Sequence, residues 1–324
     1  MTARVIRVHD TGGPEVMQFE TVDLPAPPEG FARVKNTAIA LNYIDTYHRT
    51  GLYPLPLPTG LGVEGAGVVE SVGPGVTHLK EGDRVAYVFA PGCYAEAALI
   101  PASRLVKLPD NISDELAAAS FLKGLTAEYL LRRTYQVKAG DTILVHAAAG
   151  GVGLILCQWA KHLGATVIGT VGSEDKAQLA KANGADHTIL YRQEDFVARI
   201  KELTGGLGVP VVYDSVGKDT VPGSVQCLQP RGMLVSFGNA SGLPDPVGFE
   251  AIAAQGSIFV TRPSLFNYIA FDEELADAAA ALFDVMASGA VKVDVRQRYK
   301  FDDVVKAHQD LEARVTTGSS ILIP

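Results

Sequence analysis

Two rhythms of apolar residues divide the chain. Up to about residue 120, short β-branched and aromatic runs alternate with Gly/Pro turns, as in antiparallel barrels and sandwiches. The expected strands are Arg33 to Leu41, Gly67 to Val72, Arg84 to Phe89 and Tyr94 to Ile100, with turn signals such as Val72-Gly73-Pro74-Gly75 and Lys80-Glu81-Gly82-Asp83 between them. The pattern changes near Ser113, where Asp114 to Ser120 reads as an Ala-rich helix. From Asp141 apolar strands alternate with helical segments: Thr142 to His146, helix Gly153 to Leu163, Thr166 to Thr170, helix Lys176 to Asn183, then Thr188 to Leu190, Pro210 to Tyr213 and Met233 to Phe237. Strand–helix alternation of this kind builds βαβ units, hence a doubly wound parallel sheet of Rossmann type. After Thr261 the alternation stops. Glu273 to Met286 and Asp302 to Ala313 read as amphipathic helices and Ser320 to Ile323 as a last strand. The simplest assembly returns this tail to the first domain. Residues 1–122 and 263–324 then form a mainly-β domain, residues 123–262 form an inserted α/β domain, and the active site lies in the cleft between them.

The sharpest local signal lies inside the alternating region. Ala147-Ala148-Ala149-Gly150-Gly151-Val152-Gly153 follows the strand Ile143-Leu144-Val145 and opens a helix. The spacing matches the dinucleotide fingerprint, with Ala147 where the first glycine usually stands. Gly150 permits close backbone approach to a pyrophosphate, Gly153 permits close helix–strand packing, and the helix start offers N–H groups and a partial positive charge. The second strand ends Ile168-Gly169-Thr170-Val171-Gly172-Ser173, with no carboxylate at the position that reads the ribose hydroxyls in NAD-preferring sites. Ser173 offers a hydroxyl and Lys176 a positive charge to an added phosphate, with Tyr191, Arg192 and Arg314 as further partners. Glu174 and Asp175 suit the positive end of the following helix. The expected cofactor is NADPH.

Composition narrows the classes. With 47% hydrophobic and 20% charged residues the chain can bury a large core without staples. A net charge of −8 with no dense basic run disfavours a nucleic-acid partner. The three cysteines, Cys93, Cys157 and Cys227, are widely spaced and form no C-x-x-C pair, which suggests reduced thiols in a cytoplasmic enzyme. No signal peptide or membrane-spanning run is expected.

Further motifs are Asn42-Tyr43-Ile44-Asp45-Thr46-Tyr47, Gly62-Val63-Glu64-Gly65-Ala66-Gly67, His146 to Gly153, Tyr213-Asp214-Ser215-Val216-Gly217, Val235-Ser236-Phe237-Gly238-Asn239 and Val260-Thr261-Arg262-Pro263-Ser264. Together they resemble those of bacterial quinone oxidoreductases, zeta-crystallin-related members of the medium-chain dehydrogenase/reductase superfamily. The likeness runs from Gly12-Gly13-Pro14-Glu15 to Gly318-Ser319-Ser320. It implies a GroES-like first domain, a homodimer, and NADPH-dependent reduction of quinones, often to the semiquinone by one-electron transfer. Positions matching the family's cofactor contacts are Tyr43, Ile44, Asp45, Thr46, Tyr47, Thr126, Gly151, Val152, Gly172, Ser173, Glu174, Asp175, Lys176, Tyr191, Ser215, Gly238, Asn239, Ala240, Ser241, Pro263, Ser264, Leu265 and Arg314; Gly150, from the glycine turn, and Asn42, whose amide can hold the nicotinamide ribose, join them as cofactor-binding candidates.

Related alcohol dehydrogenases bind catalytic zinc through a Cys and a His. Asn42 and Val63 stand at those positions, and neither is a ligand of the needed kind. A zinc-free enzyme cannot stabilise an alkoxide by Lewis acidity, which argues against alcohols. A quinone is already electron-poor, so proximity, a flat apolar slot and one hydrogen-bond donor suffice. Asn42, Tyr47 and Tyr53 are the catalytic candidates. Two other readings stay open: an NADPH-dependent alkenal or enone reductase, and an NADPH-binding RNA-binding or structural protein. The acidic balance argues against the latter.

Overall fold

The computed structural model describes residues 1–324, and their contacts separate two compact units. The first comprises residues 1–122, 275–279 and 293–324; the second comprises residues 123–274 and 280–292.

The first unit is mainly β. Its longest strand, Phe31–Leu41, pairs antiparallel with Glu64–Val72, Ala97–Pro101 and Ser319–Ile323. Arg84–Val88 adds to Glu64–Val72, and Leu105–Lys107 to Arg84–Val88. Burial in Phe31–Leu41 alternates at first, as a half-buried strand requires, and then becomes continuous from Ala38 to Leu41. That continuous stretch delivers the chain to Asn42 between two packed layers. The core on one side gathers Ile6, Ile39, Leu41, Leu61, Tyr94 and Leu322. The core on the other gathers Val34, Val69, Val85, Tyr87 and Ile100.

Helix Tyr43–Thr50 in this unit has no counterpart in the apolar pattern. Its buried face is largely polar, with Asp45, Thr46, Tyr47, His48 and Arg49 all buried. The helix starts because the Asp45 carboxylate accepts the otherwise orphaned Asn42 N–H at 2.8 Å. It stops at Gly51, whose φ of 79° is the left-handed conformation that ends a helix.

The second unit carries a six-stranded, wholly parallel sheet. The spatial order is His187–Leu190, Thr166–Val171, Thr142–Val145, Val209–Asp214, Leu228–Ser236, Phe259–Thr261. Chain order reverses between Thr142–Val145, the first strand laid down, and its neighbour Val209–Asp214, the fourth, the switch point at which doubly wound sheets bind ligands. The strands are near-continuous Val/Ile/Leu runs because both faces are covered.

The tail does not return to the first unit at residue 263. Residues 263–274 and 280–292 group with the parallel sheet. The Tyr268 ring stacks on Tyr129 with centroids 4.4 Å apart. Leu282 packs on Gly124 so closely that a Cβ at Gly124 would lie 2.4 Å from it. These aromatic and close-approach contacts leave no trace in apolar periodicity. No helix is long and apolar enough to cross a membrane.

Candidate active site

Apart from Thr126, on helix Asp114–Tyr129, the nucleotide-side candidates of the second unit follow the carboxyl ends of its parallel strands. Gly150, Gly151 and Val152 follow Thr142–Val145. Gly172 to Lys176 follow Thr166–Val171, and Tyr191 follows His187–Leu190. Ser215 follows Val209–Asp214, Gly238 to Ser241 follow Leu228–Ser236, and Pro263 to Leu265 follow Phe259–Thr261.

The two glycines of the turn act differently. Gly150 is extended (φ −79°, ψ 172°) and precedes helix Gly151–His162, with no side chain capping it. The first-turn N–H groups therefore lack intrahelical acceptors and suit an anion. A Cβ on Gly150 would meet only Ala147 O, at 3.2 Å. A Cβ on Gly153 would lie 2.3 Å from Ala147 O and 2.8 Å from Ala148 Cα, so only glycine lets this helix lie against the turn. Ala147 adopts φ 52°, left-handed backbone in which alanine is strained.

Beneath the turn lies a buried brace that sequence reading missed. Asp214 Oδ2 accepts from Ser224 Oγ at 2.7 Å, so the Ser224 oxygen accepts from His146 Nε2 at 2.9 Å. His146 Nδ1 then accepts from Thr170 Oγ1 at 2.8 Å. Asp214 Oδ1 takes the N–H groups of Val216 and Gly217. Burial lowers the His146 pKa, keeping the ring neutral as this pattern requires. The brace ties three adjacent strand ends together. Its members lie 24 and 78 residues from His146, so no local motif announces them.

The end of strand Thr166–Val171 is small and polar. A Cβ on Gly172 would lie 3.3 Å from Tyr191 Oη and 3.5 Å from Arg192 Nε, so glycine keeps that space open. Ser173 precedes helix Glu174–Ala182 without capping it through its side chain. Arg192 lies over the Tyr191 ring, 6.0 Å from its centroid. Loops 215–217 and 238–242 are zipped together: Ser241 Oγ donates to Val216 O at 2.8 Å and Lys218 N donates to Gly242 O at 3.1 Å.

In the first unit, Asn42 through Tyr47 form one continuous turn of structure. Asn42 Nδ2 donates to Glu64 Oε2 at 2.8 Å, and Glu64 Oε1 accepts from Leu122 N at 2.6 Å. A wholly buried carboxylate thus fixes the amide, leaving its second N–H for another partner. Tyr47 and Tyr53 meet edge-on with centroids 5.0 Å apart, and Tyr43 lies 6.1 Å from Tyr47. The three rings make an aromatic cluster with phenol tips. Ile44 is partly buried in the helix, and Thr46 Oγ1 donates to Tyr43 O at 2.7 Å. Arg314, just past helix Val304–Glu312, has φ 58°.

The residues do not fit a zinc centre. Val63 is buried and apolar, and the Asn42 amide is engaged with Glu64. Burial pushes the Cys93 thiol far above its ordinary pKa, away from the thiolate that binds metals. No group of three His, Cys, Asp or Glu side chains is placed to hold an ion.

Residues 28–110 match the alcohol dehydrogenase GroES-like domain, and residues 151–283 match the zinc-binding dehydrogenase model, whose name this donor set does not support. A quinone oxidoreductase of Salmonella typhimurium is 55% identical over 323 residues, covering 98% of this chain and 99% of that protein. A 2-haloacrylate reductase of Burkholderia sp is 45% identical over 326 residues, covering 98% of each. The crystal structure of Escherichia coli quinone oxidoreductase complexed with NADPH superposes with a TM-score of 0.97, at 54% identity and full coverage of both chains (100% each). With sequence and fold shared over its whole length, this chain belongs to the quinone oxidoreductase family of the medium-chain dehydrogenase/reductase superfamily.

Proposed function

We propose that the protein reduces quinones with NADPH and without a metal. The observation that carries this reading is the carboxyl edge of the parallel sheet. There a helix start, a glycine turn and a carboxylate-free second strand end coincide. The helix Gly151–His162 amides hold the pyrophosphate, and Ser173, Lys176, Tyr191 and Arg192 hold the extra phosphate. Bound NADPH supplies the reducing equivalents. Asn42, pinned by Glu64, orients a carbonyl or ribose group through its second amide hydrogen. Tyr47 and Tyr53 offer flat apolar faces with hydroxyls at the rim, which suits an aromatic dione. A titration of NADPH and NADH tests the cofactor assignment: at least about tenfold preference for NADPH is expected, and equal affinity rejects it. NADPH gives up two electrons, so the one-electron course implied by the family likeness reduces two quinones per NADPH. Two semiquinones per NADPH by electron paramagnetic resonance in the first turnovers support that course, and hydroquinone as the first product, with semiquinone only later, rejects it.

A second reading is reduction of an activated alkene by the same cofactor. The 2-haloacrylate reductase likeness favours it, and it needs a proton donor beside the substrate α-carbon, a role open to the tyrosine cluster.

The chain is also proposed to form a homodimer through the sheet edge. Strand Phe259–Thr261 terminates the sheet, and Phe259 and Val260 on it are 58% and 39% exposed. An exposed apolar edge strand is a template for pairing with a second copy. Light scattering of Phe259→Lys against wild type tests this, with a shift from twice the chain mass to the chain mass expected and an unchanged dimer refuting it. Cytoplasmic residence is inferred from three buried free thiols.

A further inference from the structure

A buried chain of hydrogen bonds runs through the first unit behind helix Tyr43–Thr50. Arg49, only 1% exposed, places Nη1 3.2 Å from His308 Nδ1 and Nη2 2.6 Å from Glu312 Oε1. Its Nε donates to Gly12 O at 3.1 Å. A guanidinium only donates, so His308 Nδ1 must accept. The ring proton then sits on Nε2 and donates to Tyr94 Oη, 3.1 Å away. Tyr94 in turn donates to Asp45 Oδ2 at 2.9 Å, and the same oxygen accepts the Asn42 N–H at 2.8 Å. Every hydrogen along the path has one allowed direction. His308, Tyr94 and Asp45 are all wholly buried.

We propose that His308 and Tyr94 are positioning residues, which act through Asp45 to set the first turn of helix Tyr43–Thr50 and with it Asn42. Packing alone does not account for the arrangement. Burying ions costs desolvation that apolar side chains of similar volume avoid, so an ionic path through a core specifies geometry more than it adds stability. The path runs between helix Val304–Glu312 and the turn that carries Asn42, Tyr43 and Asp45, and Tyr43 Oη donating to Leu311 O at 3.1 Å is a second tie between the same elements. The effect on turnover rests on the NADPH-dependent reading above.

The test compares His308→Leu, His308→Gln and Tyr94→Phe in the full chain. Glutamine keeps one acceptor and one donor at about the ring-nitrogen spacing, whereas leucine keeps neither. In wild type and variants, hydrogen exchange is followed over residues 42–50, and KM and kcat are measured with NADPH and NADH. Faster exchange confined to residues 42–50 is expected for His308→Leu and Tyr94→Phe, and wild-type exchange for His308→Gln. KM should rise severalfold for both cofactors alike, leaving their ratio unchanged, because the 2′-phosphate pocket is untouched. The two losses should not add in the double variant. Wild-type exchange in His308→Leu, or failure of glutamine to restore it, overturns the proposal. Should His308→Leu not fold, Tyr94→Phe, which removes one oxygen, decides by the same readouts. Wild-type protein that ignores NADPH would remove the functional reading, while the exchange data would still decide the positioning role.

Discussion

The glycine turn offers the sharpest perturbation, because its two glycines should fail in different ways. In Gly153→Ala the new Cβ lies 2.3 Å from Ala147 O, against backbone that cannot rotate away. Ordinary carbon–oxygen contact begins near 3.4 Å, so helix Gly151–His162 must retreat by roughly 1 Å. Overpacking of this kind costs about 1–3 kcal/mol, which for a unit of this size lowers Tm by roughly 2–10 °C. The same retreat pulls the helix-start N–H groups out of hydrogen-bond range of the pyrophosphate. Losing one charge-assisted bond, about 1.5–3 kcal/mol, weakens NADPH binding by roughly 10- to 150-fold. Gly150→Ala meets only one atom, at 3.2 Å and at an ordinary φ of −79°. It should leave Tm within about 2 °C and yet weaken NADPH, because the methyl group stands where the phosphate approaches. The assay is differential scanning fluorimetry of the apoprotein beside NADPH fluorescence titration. Wild-type Tm and affinity in Gly153→Ala would refute the close-approach argument. Equal Tm losses in both variants would refute the division of roles.

Ala147→Gly should hold or raise Tm by a few degrees, since relief of about 1–2 kcal/mol of left-handed strain exceeds the roughly 0.4–1 kcal/mol of added chain entropy; a fall in Tm contradicts it. Lys176→Ala should weaken NADPH by at least about tenfold, about 1.4 kcal/mol, and leave NADH unchanged by fluorescence titration. Burial, with Arg49 adding to it, depresses the His308 pKa from 6.5 to about 3, so the unfolded chain takes up a proton that the folded chain refuses. Stability is therefore full above about pH 6.5 and is lost as pH falls towards 3, with a limiting slope near 1.4 kcal/mol per pH unit for each such histidine. Urea melts between pH 7.5 and 4.5 should show this decline, and His308→Gln should flatten it, with the lowered His48 and His146 supplying the remainder.

The alternating half of the fold was legible because buried parallel strands read as apolar runs with helices between them. The glycine turn was legible because strand, turn and helix are contiguous. Helix Tyr43–Thr50 was not, since its buried face is polar and its stability comes from Asp45, Tyr94 and His308. The placement of residues 263–274 and 280–292 was hidden for a related reason, because a Tyr129–Tyr268 stack and a Gly124–Leu282 contact join distant positions. Among site residues, Asn42 stood out by its motif and by standing where related enzymes carry a zinc-binding cysteine, but its hold by Glu64, 22 residues on, appears only in three dimensions. The brace of His146, Asp214 and Ser224 has no spacing signature: His146 and Asp214 lie within recognised motifs, but Ser224 lies in helix Val221–Gln226, outside all of them.

The central claim is metal-free reduction of a quinone by NADPH. It is tested most directly by initial rates of NADPH oxidation on chelator-treated protein, with 1,4-naphthoquinone and an α,β-unsaturated ketone offered in parallel. Undiminished turnover after chelation, with the quinone reduced faster than the enone, is the predicted result. Activity that returns only with added zinc, or an enone rate orders of magnitude above the quinone rate, would contradict it.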